Sequence, residues 1–393
     1  MTTGARRLKS SNLGPGGQPS ACPHRPPCPG CPRFGEPGIA PAAKARLDEL
    51  ARAHGLPPVP VISGEMAGFR QRARLAIRGR LGSPKLGLFE LGTHHVVHIP
   101  NCVVHHPLIN RVASVVRRAL VDASVTCYSD QAHAGLARYL QVVVERRSQS
   151  AQVVLVGNSA DESPFGVFFE LVRERLGGEL HSLWWNGNRE IGNAILGADF
   201  RAICGPVALV EHFGSHAIHY PPGAFGQNNL EIAARIVEHV RSEIPEGARV
   251  AEFYAGVGAI GLSIVDRVSE LRLNEVSPAS LLGLALGTGG LSTANRGKIS
   301  VTPGPAGSAV AMAEGMDLVI ADPPRKGLDP ELTRALAAQP PARFIYVSCG
   351  LESFLNDTRV LLDGGALRLT GLTAYSLLPF TEHGETVARF ERS

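Results

Sequence analysis

The sequence predicts an α/β protein: a doubly wound C-terminal domain, a preceding α+β domain and an N-terminal cysteine-rich loop. Three observations favour this fold class. Two apolar runs, 317–321 and 344–348, each lead directly into polar, potentially reactive residues. From Gln227 onwards, helical and strand patterns alternate, which is typical of a parallel sheet covered by helices. Three cysteines lie within ten residues near the N-terminus.

The predicted organisation has four parts. They are a disordered Gly/Ser/Pro-rich tail at 1–21, a cluster-binding and basic β region at 22–105, an α+β central domain at 106–222, and the doubly wound domain at 223–393. The chain has no 18-residue apolar run and no apolar leader segment, so we expect no membrane span and a cytoplasmic protein.

Residue periodicity predicts the elements in chain order. Helical spacing is found at Pro41–His54, 107–121, 164–176 and Leu230–Ile244. Strands are predicted within 68–100, as a hairpin at 138–156, within 180–220, and at Arg249–Tyr254, Leu271–Glu275, 317–321, 344–348 and Val387–Phe390.

Charge is distributed unevenly along the chain. Residues 1–85 contain 14 Lys and Arg against 4 Asp and Glu, whereas the whole chain has a net charge of +4. A basic N-terminal region on a slightly acidic body favours a polyanionic partner such as nucleic acid. The alternative is that arginine is simply frequent in this composition.

The N-terminal cysteines indicate a metal site. Cys22, Cys28 and Cys31 lie on a proline-rich loop, and Cys102 is the best candidate for a fourth ligand. The odd total of seven cysteines argues against a disulfide framework. Four thiolates suit an iron–sulfur cluster or zinc. A zinc site could instead be completed by a histidine, the candidates being His24, His98 and His105.

A glycine loop follows the strand predicted at Arg249–Tyr254. Gly256 and Gly258 let the backbone approach a ligand closely, and Glu275 ends the next strand, where a carboxylate can accept hydrogen bonds from ribose hydroxyls. The third glycine of a dinucleotide fingerprint is absent, so the loop fits an adenosyl ligand without pyrophosphate, such as S-adenosylmethionine. A Gly-x-Gly sequence is also common as a plain turn.

The two apolar runs deliver a carboxylate and a thiol to one edge of the sheet. Asp322 follows the first run and Cys349 follows the second. Because ligands bind outside the carboxyl ends of parallel strands, the pair predicts an enzyme with a cysteine nucleophile. Cys349 could also be an ordinary core residue. Glu385, which precedes the closing strand, could be a general base or merely a charged residue on an edge strand.

Taken together, these motifs resemble the uracil-C5 RNA methyltransferases, which form 5-methyluridine. The resemblance extends from Cys22 to Phe390 and implies a Rossmann-like methyltransferase domain. The motifs that carry it are the Cys-x5-Cys-x2-Cys spacing, FGQNN at 225–229, FYAGVG at 253–258, NEV at 274–276, ADPPRKGL at 321–328, YVSCG at 346–350 and HGETV at 383–387.

The resemblance also implies residue roles. Cys349 is expected to add to uracil C6, and Glu385 to remove the C5 proton. Contacts to S-adenosylmethionine are expected from Gln227, Tyr254, Gly256, Glu275 and Asp322. Contacts to the target base are expected from Phe225, Gln227 and Asp322. A [4Fe-4S] cluster is expected on Cys22, Cys28, Cys31 and Cys102.

The implied substrate is RNA, and the target base must be flipped out of its stack because C5 and C6 are otherwise shielded. The chain resembles the shorter ribosomal-RNA branch, in which no β-barrel domain precedes the cluster, so we expect 23S ribosomal RNA and a monomeric enzyme. The alternatives are a tRNA substrate and a catalytically impaired iron–sulfur RNA-binding protein.

The chain departs from the family pattern at three places. Gly350-Leu351 stands where the family often has Asn-Pro, and Ala255 stands where a cysteine is frequent. Residues 283–310 match poorly, so the usual polar contact to adenine is not identifiable from the sequence.

Overall fold

The computed structural model describes residues 21–393, so the tail predicted at 1–21 lies, apart from Ala21, outside the described residues. The chain forms two compact units. Of the described residues, the first unit comprises 21–36 together with Glu65–Leu209, and the second comprises Pro37–Gly64 together with Val210–Ser393. Between residues 21 and 393, no helix has the length and apolar character needed to cross a membrane.

The helices and strands are numbered in chain order. The helices are α1 (Pro41–Ala53), α2 (Pro107–Asp122), α3 (Gly166–Leu176), α4 (Leu230–Ser242), α5 (Gly261–Ile264), α6 (Pro278–Gly289), α7 (Thr293–Arg296), α8 (Pro330–Ala338) and α9 (Leu351–Asp363). The strands are β1 (Val61–Ile62), β2 (Arg72–Arg80), β3 (Ser83–Phe89), β4 (Val96–His98), β5 (Ala137–Glu145), β6 (Ser150–Gly157), β7 (Leu180–Gly187), β8 (Asp199–Cys204), β9 (Leu209–Phe213), β10 (His216–Tyr220), β11 (Ala248–Phe253), β12 (Val268–Glu275), β13 (Ile299–Pro303), β14 (Leu318–Ala321), β15 (Arg343–Ser348), β16 (Leu367–Tyr375) and β17 (Glu385–Arg392).

The first unit is built on a seven-stranded sheet in the order β4-β3-β2-β5-β6-β7-β8. Its pairs are antiparallel except for β6 with β7. Alternate residues of the strands share one core with α2 and α3, including Leu140, Val112 and Phe168. α2 begins cleanly because Pro107 occupies its first turn and the His106 ring accepts a hydrogen bond from the Leu108 amide.

The boundary predicted between residues 105 and 106 cuts this sheet and does not separate two compact units. β2 pairs with β5 from Arg72–Val143 to Ala76–Tyr139, so the basic β region and the central α+β region form one structure. The alternating pattern predicted the strands themselves. It carries no information on which distant strand each one will pair with.

The second unit contains an eight-stranded sheet in the order β1-β16-β17-β15-β14-β11-β12-β13. β11, β12, β13, β14 and β15 are mutually parallel, while β17 lies antiparallel between β15 and β16. Every residue of β14 is buried, as expected for a parallel strand covered on both faces. The predicted doubly wound α/β fold is therefore confirmed.

Residues 37–64 belong to this second unit and not, as predicted from the sequence, to the region at 22–105. β1 pairs in parallel with β16, and Leu47 and Ala51 of α1 enter the core of the second unit. Arg46 forms a bidentate ion pair with Glu352 of α9. The helix predicted at Pro41–His54 is confirmed as α1. Its attachment depends on partners more than 300 residues away, which local patterns do not reveal.

The order of the parallel strands creates a switch point. From β11 the chain moves outward to β12 and β13 on one side, then returns to β14 on the other side of β11. The loops that follow β11 and β14 therefore diverge and leave a crevice at the carboxyl ends of these strands, the usual ligand-binding position in such sheets.

Candidate active site

Four reactive side chains lie where neighbouring strands of the second unit end. Tyr254 follows β11, Asp322 follows β14 and Cys349 follows β15. β17 begins with Glu385 and runs antiparallel beside β15, so Glu385 lies at the same edge. Strand pairing thus brings Asp322, Cys349 and Glu385 to one edge of the sheet, which the sequence predicted for Asp322 and Cys349.

The thiol of Cys349 is held in its neutral form. Burial, then the charges of Glu385 and Asp322, raise the pKa of Cys349 to about 11, while the Arg325 guanidinium lowers it. Cys349 also lies just before the N-terminus of α9, where the helix dipole favours a thiolate. Any change that strengthens the effect of Arg325, or that neutralises one of the carboxylates, increases the nucleophilic form of the thiol.

Two carboxyl groups share this edge. Glu385 is only 4% exposed, and burial, reinforced by Asp322, raises its pKa well above the usual range, with Arg325 opposing. Burial also raises the pKa of Asp322. Two carboxylates this close disfavour each other's ionisation. A carboxyl group with a raised pKa is a stronger base near neutral pH.

The glycine loop after β11 is held in place by hydrogen bonds to the Glu275 carboxylate. One carboxylate oxygen accepts a hydrogen bond from the Gly256 amide at 2.8 Å, and the other accepts from the Val276 and Ser277 amides at 2.8 and 2.6 Å. Gly256 has a φ of +58°, and a Cβ there would meet nothing within 4 Å. Gly256 thus faces open space, whereas Glu275 has a structural role that the sequence analysis did not anticipate.

Tyr254 connects the glycine loop to the segment before α8. Its backbone is in the left-handed region, with a φ of +60°, and its hydroxyl accepts a hydrogen bond from the Asp329 amide at 2.8 Å. Burial raises the pKa of Tyr254 to about 12, so the hydroxyl stays neutral.

Glu252 is a site residue that sequence reasoning missed. It lies on β11 with 1% exposure, and burial, followed by the charge of Asp322, raises its pKa well above the usual range. A backbone hydrogen bond from Gly261 opposes this shift, and a Cβ at Gly261 would lie 2.3 Å from Oε2 of Glu252. The sequence feature that could have identified Glu252 is a carboxylate inside the otherwise apolar strand Ala248–Phe253.

Phe225 and Gln227 lie on the loop between β10 and α4 rather than at a strand end. Phe225 is 66% exposed and Gln227 is half-buried. The loop ends at Asn229, whose side chain caps α4 by accepting a hydrogen bond from the Ile232 amide at 3.3 Å. An aromatic ring this exposed is available to stack on a planar ligand.

The N-terminal cysteines form a separate feature within the first unit. Cys22, Cys28, Cys31 and Cys102 line one cavity of about 70 Å³, into which His24, Arg70 and His105 also project. Burial, followed by the charge of Cys102, raises the pKa of Cys31 to about 12, with Arg70 opposing. Burial raises the pKa of Cys28 and of Cys102 as well.

These thiols fit a metal cluster in number and chemistry. Among residues 21–393, however, no three His, Cys, Asp or Glu side chains converge in the geometry of a formed metal site. The two observations are compatible, because lining a cavity is a weaker condition than converging on one point. Metal binding requires each thiol to lose its proton, and a bound cation would offset the raised pKa values.

Sequence relatives decide the family. An RNA methyltransferase of Protochlamydia amoebophila whose function is uncharacterised is 36% identical over 384 residues, covering 95% of this chain and 98% of that relative. This chain belongs to the RNA methyltransferase family. The 23S rRNA (uracil(1939)-C(5))-methyltransferase of Chromohalobacter salexigens is 29% identical to it over 352 residues, covering 88% of this chain and 70% of the relative. No protein-family model matches.

The methyltransferase also shares its fold with a solved structure. The Pyrococcus abyssi tRNA (uracil-54, C5)-methyltransferase, solved in complex with S-adenosyl-L-homocysteine, superposes with a TM-score of 0.70 over 89% of this chain and 83% of that one, at 21% identity. At this identity the likeness establishes the fold alone, and it confirms the predicted Rossmann-like methyltransferase domain.

Proposed function

We propose that this methyltransferase transfers a methyl group from S-adenosylmethionine to C5 of a uridine in RNA. The observation that carries the proposal is the meeting of Cys349, Glu385 and Asp322 at the carboxyl edge of the second sheet. The named activities of the Chromohalobacter salexigens and Pyrococcus abyssi proteins, both uracil-C5 methyltransferases, support it.

A thiol and a base are what this chemistry requires. Uracil C5 is a poor nucleophile until a thiolate adds at C6, which forms a C6–S bond and leaves an enolate with carbanion character at C5. In our proposal the Cys349 thiol first loses its proton to solvent, which Arg325 favours, and the thiolate then makes this bond. After C5 has been methylated, the Glu385 carboxylate removes the C5 proton, the C5–C6 double bond re-forms and the C6–S bond breaks. Burial raises the basicity of Glu385 for this last step.

S-adenosylmethionine, when bound, supplies the methyl group to C5, and its S–CH3 bond breaks so that S-adenosylhomocysteine leaves. The residues proposed to hold it are Gln227, Tyr254, Gly256, Glu275 and Asp322. The open space in front of Gly256 supports a ligand there, as does the fastening of the loop by Glu275.

The proposed substrate is single-stranded or flipped-out uridine, with 23S ribosomal RNA favoured over tRNA. Phe225 would stack against the base, and Gln227 and Asp322 would bind its polar edge, where hydrogen bonding to O4 or N3 stabilises the enolate. The exposure of the Phe225 ring supports the stacking role. Comparing the 5-methyluridine maps of ribosomal RNA and tRNA from a deletion strain tests which RNA is the target.

A [4Fe-4S] cluster on Cys22, Cys28, Cys31 and Cys102 is the second part of the proposal. The four thiols bordering one cavity support it. Their four sulfur donors would complete the coordination of such a cluster, and no redox step in the methylation requires it. Its proposed role is to hold the basic first unit in the form that binds RNA. Anaerobically purified protein should be brown and contain iron and sulfide; zinc without iron would refute this part.

Methyl transfer and covalent trapping test the activity. The protein is incubated with methyl-tritiated S-adenosylmethionine and RNA lacking 5-methyluridine, and then with RNA carrying 5-fluorouridine. Because fluorine cannot leave C5 as a proton does, a covalent adduct should persist with the wild type and be lost in Cys349→Ala. Cys204→Ala, at the end of β8 in the other unit, is the control and should still form it. Absence of transfer with RNA binding retained would instead favour an RNA-binding protein without catalysis.

A further inference from the structure

Helix α9 begins directly after the Cys349 turn and contacts the loop that carries Arg325. The Ser353 hydroxyl donates a hydrogen bond to the Arg325 carbonyl at 2.9 Å. One turn later, an Asp357 carboxylate oxygen accepts from the Leu328 amide at 2.9 Å and from the Tyr346 hydroxyl at 2.6 Å. Positions four apart share one face of a helix, so the same face holds both ends of the 325–328 segment.

Gly350 allows this close approach. Its φ of −123° and ψ of +103° suit any residue, so no conformational reason demands glycine. Glycine is required here for steric reasons, because a Cβ at Gly350 would lie 2.6 Å from both the Arg325 carbonyl oxygen and the Ser353 hydroxyl. Gly364, at the other end of α9, differs: a Cβ there would meet nothing within 4 Å.

The segment held in this way carries the cation of the site. The charged groups that act on Cys349 are Glu385 from β17, and Asp322 and Arg325 from the loop after β14. Of the three, Arg325 alone favours the thiolate, and it also opposes the raised pKa of Glu385. The Arg325 side chain is exposed, and the described contacts that hold its segment are those to the Arg325 carbonyl and the Leu328 amide.

We propose that Gly350, Ser353 and Asp357 form a clamp that positions Arg325 beside Cys349 and thereby sets the reactivity of the thiol. The three are positioning residues, since none of them is required to touch the reacting atoms. The clamp gives a physical reason for the glycine that stands where the family often has asparagine. It rests on the proposed function only in taking Cys349 as the nucleophile.

The test follows the alkylation of Cys349 by iodoacetamide between about pH 7 and 10, read from the mass of its peptide. Only the thiolate reacts, and a rise of one unit in pKa lowers the rate about tenfold at each pH well below it. Gly350→Ala and Arg325→Gln should each slow alkylation about tenfold. Gly364→Ala should match the wild type.

Two further variants separate positioning from plain structural damage. In the double variant, Gly350→Ala should add no further slowing to Arg325→Gln, because both act through one guanidinium. Ser353→Ala removes the hydroxyl without adding an atom and keeps the test decisive if Gly350→Ala fails to fold. Ser353→Thr keeps the hydroxyl and should be alkylated at Cys349 at the wild-type rate.

The clamp is overturned if Gly350→Ala and Ser353→Ala both alkylate like the wild type, or if the two effects multiply in the double variant. Alkylation requires neither RNA nor methyl donor. Slowed alkylation in the variants, together with no methyl transfer by the wild type, would therefore sink the proposed function and leave the clamp standing. Methyl transfer by the wild type with unaltered alkylation in the variants would do the reverse.

Discussion

The two cysteine sites of this protein are built in opposite ways. Cys349 follows a buried parallel strand and precedes a helix, so hydrogen bonding of the sheet fixes where it lies. Cys22, Cys28 and Cys31 lie on a loop without regular structure, and with Cys102 they line a cavity without converging on one point. The backbone arranges the first site unaided, whereas the proposed cluster would have to draw the thiols of the second together.

The two sites differ in the source of their unfavourable free energy. At the sheet edge the cost is electrostatic, because Glu385 and Asp322 are held together and both resist ionisation. At the cysteine loop the cost is the ordering of the loop and the deprotonation of buried thiols, which a metal would offset. Removing a side chain should therefore alter chemistry at the first site and folding at the second.

The largest expected effect is on turnover at the sheet edge. Glu385→Gln removes the base while leaving the thiol, so the adduct with ordinary uridine RNA should form and fail to resolve. The rate of multiple-turnover methyl transfer should fall by about 10²- to 10⁴-fold, the usual contribution of a general base. The measurement is methyl transfer in multiple turnover, with the covalent RNA–protein band followed on a denaturing gel.

Glu382→Gln is the matched control for that change, because Glu382 is exposed three residues away. It should transfer methyl groups at the wild-type rate and accumulate no adduct. Normal turnover by Glu385→Gln would remove Glu385 from the role of base and would place that role on Asp322.

The next effect sharpens the contrast at the cysteine loop. Cys28→Ser should lose most bound iron and unfold the first unit at a lower temperature, because a ligand that binds only the folded state stabilises it. Binding of S-adenosylmethionine, measured by calorimetry, should change less than the stability does. Cys204→Ser alters a cysteine that does not line the cavity and should keep its iron. Equal iron in the two variants would contradict the ligand assignment.

Sequence reasoning succeeded where local pattern and global structure agree. The runs at 317–321 and 344–348 predicted β14 and β15 because both faces of those strands are buried. It failed where distant pairing decides the outcome. The segment 37–64 joins the second unit through β1 and β16, and the importance of Arg325 depends on a hydrogen bond from Ser353 that no spacing reveals. Glu252 was readable in principle, as a carboxylate within an apolar strand.

A smaller effect concerns stability and pH. Because folding raises the pKa of Glu385 above its unfolded value, the stability that its protonated form contributes is complete below the unfolded pKa and is lost as pH rises through the folded pKa. Glutamine mimics the protonated form. Glu385→Gln should therefore melt at a higher temperature than the wild type at neutral and alkaline pH, and at the same temperature near pH ~4. Calorimetric scans across pH measure the difference; a constant offset at every pH would show that ionisation is not its cause.

The smallest effect is expected at Tyr254, whose hydroxyl serves the loop rather than the chemistry. Tyr254→Phe removes the acceptor of the Asp329 amide at 2.8 Å and keeps the ring, so it should cost about 1 kcal/mol of unfolding free energy. The affinity for S-adenosylmethionine should fall by less than about tenfold, because the variant changes only how well the glycine loop is ordered. Denaturant unfolding and calorimetry measure both quantities. A loss of affinity beyond about 100-fold would mean that the Tyr254 hydroxyl binds the ligand itself, so that the two roles of this residue could not be separated.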